Sequence, residues 1–160
     1  MKLSPLLLAL FLPGVVAAAA SPSQPYDVNL ELATALATET LNQCQQHGKN
    51  GVVAVVDRGG NPVVIMRGDN VGPHNTLAAQ RKAYTSLSTK TPSKQLAENA
   101  RNNIDANNLN TVSELLLLGG GVPVTYQKQV IGALGVAGMG GPEFDEKCAV
   151  DAIAKVLPAS

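Results

Sequence analysis

Residues 130–148 read VIGALGVAGMGGPEFDEKC, and the small residues in this stretch limit the fold more than any other feature of the chain. A β-branched run carries Gly132, Ala133, Gly135 and Ala137 before it breaks into a glycine turn. Glycine inside a strand loses backbone entropy and packs no side chain, so a strand holding several has something lying close to its backbone. That object is either a helix or a flat ligand, and the sequence leaves both open. Pro142 then opens a helix whose first turn carries Glu143, Asp145 and Glu146. Proline's fixed φ suits a helix start, and the acids complement the N-terminal dipole.

The rest of the chain is read from periodicity. A helix is expected over 28–47, with an apolar stripe of Leu30, Ala33, Ala37, Leu41 and Cys44, an Asp27 cap and a Gly48 stop. GVVAVVD (51–57) and PVVIMR (62–67) read as strands joined by an RGGN hairpin turn. GDNVGPHN (68–75) is a loop, followed by helices over 76–88 and 92–103 and an Asn-rich loop over 105–110. LLLLGGG reads as a short strand, and VPVTYQ with VIGALGVAG as a hairpin turning at 127–129. A final helix runs from Pro142 to Leu157. Hairpin connections imply an antiparallel sheet, and helices at both ends and in the middle can cover its two faces. The expected class is therefore α+β, a layered helix–sheet–helix domain.

Bulk properties exclude several functions. Residues 1–20 have the form of a secretory signal peptide: Lys2, an apolar run from Leu6 to Val16 broken by Pro13 and Gly14, then Ala17–Ala20. The run is too short to span a bilayer, so the mature protein is expected in the periplasm or outside the cell, with no membrane insertion. Residues 21–27 form a Pro/Ser leader and 28–160 a single domain. Formal charge is zero, or −1 once Lys2 is removed, which gives no basic patch for nucleic acid. With no Trp and five other aromatics, the core must be built from Leu, Val, Ile and Ala. Cys44 and Cys148 are either one disulfide, as export favours, or two buried thiols on apolar helix faces.

Taken with DRGGNPVVIMRGDNVGPHNTLAAQRKAYTS (57–86), the glycine stretch resembles the HbpS/GlcG family of small haem-binding proteins, to which the PduO C-terminal domain is related. The resemblance covers residues 28–157. It implies a five-stranded antiparallel, profilin-like sheet, assembly into homo-oligomers, haem or a similar tetrapyrrole as ligand, and a sensor protein as partner.

Four residues are candidates for the site. His74 stands in a Gly/Pro-rich loop before a helix, where the dipole disfavours imidazolium, and neutral imidazole is the form that binds haem iron. Arg81 and Lys82 match the family's RKA helix motif and can pair with a ligand carboxylate such as a propionate, or form a structural ion pair to Asp57 or Asp69. They point 100° apart, so at most one faces the site. Gly135 marks the backbone that a flat ligand would approach. His47 reads as a helix C-terminal charge, Met66 and Met139 as packing, and the glycines at 119–121 and 138–141 as turns. No Walker lysine, no GxSxG elbow and no triad material occurs.

The leading expectation is an exported haem-binding protein that senses, stores or handles haem. The alternatives are a non-catalytic assembly or regulatory subunit, and an accessory protein of small hydroxy-acid (glycolate) use. The resemblance attaches haem degradation to the family, but these residues show no electron donor or acid/base pair for it.

Overall fold

The computed structural model describes residues 23 and 25–157. The expected signal segment 1–20 and part of the 21–27 leader lie outside the described residues. Helix α1 (Leu30–Gln45) leads into strands β1 (Val52–Asp57) and β2 (Pro62–Arg67), then helix α2 (His74–Thr89). Helix α3 (Ser93–Asn102), a short α4 (Ile104–Asn107) and a 3₁₀ turn (Asn108–Thr111) follow. Strands β3 (Gly121–Tyr126) and β4 (Gln129–Ala137) and helix α5 (Pro142–Val156) complete the chain.

The sheet is antiparallel with four strands in the order β2-β1-β4-β3, not the five implied by resemblance. The expected strand at LLLLGGG does not form, for a local reason. Its backbone is satisfied by side chains instead of a ladder: the Leu116 N–H donates to Thr85 Oγ1, and Ser93 Oγ donates to the Leu118 carbonyl while accepting from the Gly121 N–H. Gly120, at φ +119°, then turns the chain into β3.

One object that approaches the glycine strand is a helix. Along β4, Leu134 and Val136 pack with α1, α5 and their neighbours, while Ala133 and Ala137 face α2. Gly135 pairs with Ala54 of β1 and Gly121 of β3, so a row of minimal side chains crosses three strands. α2 sits in this trough through Ala79 and Ala83. A Cβ on Gly135 would run into the Ala79 carbonyl and come within 2.6 Å of the Ala83 nitrogen. Small-on-small packing lets helix and sheet backbones approach closely at native density.

On the other face, α1 and α5 lie side by side over Val53, Val55, Leu134 and Val136. Cys44 and Cys148 are bridged there, with Cα atoms 5.5 Å apart, so the bridged alternative is the one found. α1 starts later than expected: Asn29, not Asp27, caps it by accepting from the Leu32 N–H. Asp27 instead accepts the N–H groups of Val28 and Arg58, tying the start of the domain to the β1–β2 turn.

Candidate functional site

α2 organises the site because its inner face is fixed in the trough and its outer face is left to solvent. Pro73 precedes it, and His74 is its first helical residue rather than part of the loop expected over 68–75. His74 is exposed, and Leu77, three residues on, is 60 % exposed. Arg81, seven residues after His74, lies on the same face, about 10 Å along the axis at 1.5 Å per residue. Tyr84 continues that side of the helix and is 37 % exposed.

Two grooves flank this face. The first, about 360 Å³, lies between the start of α2 and the β4–α5 glycine turn and is lined by His74, Lys82, Gly138, Gly140 and Asp145 among others. It brings together two of the expected site residues, His74 and Lys82. Lys82 cannot act there as a free cation, because its side chain is only 2 % exposed and its ammonium lies 2.7 Å from Asp145 Oδ2. It also donates to the Val136 carbonyl at 3.0 Å, while Asp145 Oδ1 accepts the Met139 N–H at 2.9 Å. The structural partner is thus Asp145, not Asp57 or Asp69. Burial pushes the Asp145 carboxyl above the usual carboxylate range, against the opposing pull of the Lys82 ammonium. The pair locks α2, the end of β4 and the first turn of α5 together beneath His74.

The second groove, about 370 Å³, holds Arg81 between Leu77, Gln80 and Tyr84 on one side and Pro62 and Glu114 on the other. The guanidinium donates to the Leu115 carbonyl through Nη2, which fixes its direction, while Nε is buried without a partner. Arg81 and Lys82 therefore do face different ways. Gly135 lines neither groove: it is covered by α2, so it offers no backbone to a ligand.

Sequence reasoning missed Asp145, Leu77 and Tyr84. Asp145 is one of several acids at a helix start, and only the fold turns it inward. A signal for it existed in retrospect: a lysine in an alanine-rich helical segment needs a buried carboxylate if that face is packed. Among the described residues no group of three His, Cys, Asp or Glu side chains is placed to hold a bare metal ion. His47 lies exposed in the turn after α1, and Met139 is fully buried.

The fold and these grooves define an α+β protein with a helix seated on an antiparallel sheet and ligand-sized concavities beside that helix. The chain belongs to the HbpS-like family: the family described as "Haem degrading protein HbpS-like" matches residues 28–154. It is 31% identical to Protein GlcG of Escherichia coli (strain K12) over 107 residues, 67% of this chain and 78% of that one. The crystal structure of HbpS superposes with a TM-score of 0.79 at 36% identity, covering 89% of this chain and 99% of that one. A crystal structure of PduOC in complex with haem superposes at 0.74 with 24% identity, covering 83% and 96%, a likeness of fold.

Proposed function

We propose that this chain is an exported protein that binds haem or a similar tetrapyrrole on the outward face of α2. The observation that carries the reading is the stripe of His74, exposed Leu77 and Arg81 on one helix face. Haem is a flat apolar ring with a metal at its centre and carboxylates at one edge. An imidazole, an apolar contact and a guanidinium spaced about 10 Å along a helix match those parts in order. Membership of a family described by haem chemistry supports the same ligand. His74 would hold iron, Arg81 would meet a propionate, and Lys82 is reassigned to holding α2 in place. Among the described residues no helix is long and apolar enough to cross a membrane.

A hemin titration of the purified protein tests this. A saturable Soret shift at stoichiometric hemin is expected. His74→Ala should alter the iron spectrum and weaken binding about tenfold or more, the loss of one ligand interaction worth at least about 1.4 kcal/mol. Arg81→Ala should weaken binding with the spectrum's ligand signature unchanged. Lys155→Ala, on α5 across the sheet, is the control. If the parent protein shows no saturable shift, haem is the wrong ligand. If His74→Ala and Arg81→Ala bind like the parent, the face is wrong. Export and homo-oligomer formation belong to the same reading, and exported material should begin at Ser21 and run as at least a dimer in light scattering.

A further inference from the structure

At the far end of α2 a third groove, about 510 Å³, opens between three turns of the chain. Arg58 reaches it from the β1–β2 turn, Lys90 from the C-cap of α2, and Lys128 from the β3–β4 turn. Tyr84 and Leu87 supply its apolar lining, and no carboxylate lines it. Among the described residues none of the three cations takes part in an ion pair. The acids beside Arg58 in the fold are committed to backbone and amide donors: Asp27 to the N–H of Val28 and Arg58, Asp57 to Asn61. Three like charges gathered from separate elements repel one another until an anion neutralises them.

The backbone supplies an independent observation. Lys90 has φ +53° and Lys128 φ +62°, both left-handed. A side chain with a Cβ is strained in that region, and helix C-caps and two-residue hairpins ordinarily place Gly or Asn there. Of the four described non-glycine residues with positive φ, these two are lysines, and both line this groove. A turn alone would be served better by glycine at either position. At both positions the backbone favours glycine, and the side chain present instead carries a cation into the groove.

We propose that this groove binds a small organic dianion with an apolar or aromatic body, its charges being carboxylate or phosphate. The Arg58 guanidinium presents a fork of N–H donors to one anionic group, and the lysines act as point charges on the other. The Tyr84 ring and Leu87 pack the body of the ligand. Lys90 is sixteen residues from His74, about 24 Å along the helix, so the charge cluster lies apart from the proposed iron ligand, although Tyr84 borders both this groove and the Arg81 groove.

Amide-resolved NMR titration of the purified chain decides this, with phthalate and phenyl phosphate as probes and benzoate and inorganic phosphate as comparators. One of the two dianions should give saturable one-site shifts at Arg58, Lys90 and Lys128. Each comparator should bind at least tenfold more weakly than that probe. The dianion that binds tells whether the charged groups are carboxylates or phosphate. Lys90→Gly and Lys128→Gly should each weaken binding at least fivefold and raise the melting temperature, because they remove cation and strain together. A purely structural role would move the melting temperature alone. The proposal is overturned if neither dianion shifts these residues, if benzoate or inorganic phosphate binds equally well, if the glycine variants bind like the parent, or if they melt lower.

Discussion

Lys82 and Asp145 put two charges into a site where each is almost fully out of water. Desolvating a pair of this kind can cancel its mutual attraction, so the pair is better understood as fixing geometry than as a source of net stability. Removing one partner is another matter. Lys82→Met leaves the Asp145 carboxyl buried beside the Met139 N–H alone and should destabilise by about 3–5 kcal/mol. Lys82→Met with Asp145→Leu should recover most of that loss. Chemical denaturation of these two variants and of Asp145→Leu alone checks it, and losses that simply add in the double variant would show that the ions are not coupled. At this scale the sequence was partly legible. Spacing separated Arg81 from Lys82 by about 100° around the helix, and the structure points them into different surroundings. Which of the two faces the sheet was not legible, since an alanine-rich helix carries no strong apolar stripe to orient it. Gly135 was legible as a point of close approach but not as to what approaches, because a helix and a ligand demand the same missing Cβ.

The elements themselves were mostly recovered from periodicity, and the errors cluster where side chains compete with backbone. His74 was placed before α2 because Gly72 and Pro73 read as loop, yet proline is compatible with a helix entrance and the helix begins immediately after it. The lost strand at LLLLGGG is the same kind of error: Thr85 and Ser93 supply hydrogen bonds that an apolar run cannot advertise. The β1–β2 turn was read correctly, and it carries its own pH dependence. Partial burial raises the Asp57 carboxyl, but hydrogen bonds from Asn61 and the N–H groups of Gly59 and Gly60 outweigh it and hold the group below its usual range. A carboxyl whose folded pKa is lowered stabilises the fold above its unfolded pKa of roughly 4 and loses that contribution as pH falls through the lower folded value. Asp57→Ala should cost about 1 kcal/mol at neutral pH, a typical net hydrogen-bond contribution. The difference from the parent should begin to shrink as pH drops below roughly 4, where the carboxyl of the unfolded chain takes up its proton first, and vanish once the folded carboxyl is protonated at lower pH. Denaturation midpoints measured from pH 7 downward check this, and a difference that grows on acidification would reverse the assignment.

For the whole molecule, the layered α+β class followed from hairpin signals and helix placement, while strand number did not, because it hung on one ambiguous segment. Closure of the fold depends on contacts between its two ends that no local pattern reveals. α1 and α5 pack against each other on one face, and the Cys44–Cys148 bridge joins them across a separation of 104 residues. Lys155 adds an ion pair to Glu39 across the same interface, but it is largely solvent-exposed on the lysine side and worth little. The bridge limits the freedom of the unfolded chain over nearly the entire domain, and loops of that length give the larger disulfide contributions in the chain-entropy account. Reduction should therefore lower stability by about 2–4 kcal/mol without dissolving the fold, since the core beneath α1 and α5 is otherwise complete. Cys44→Ala with Cys148→Ala separates loss of the bridge from the chemistry of the reductant, because both thiols lie in a packed interior that accepts small apolar side chains. Unfolding of the parent protein with and without reductant, beside the double variant, checks the expectation. The bridge contributes nothing if all three share one midpoint, and it is indispensable if the double variant fails to fold. The intermediate result expected here makes α1 and α5 a lid stapled over one face of the sheet, leaving α2 on the other face free to carry the ligand surfaces.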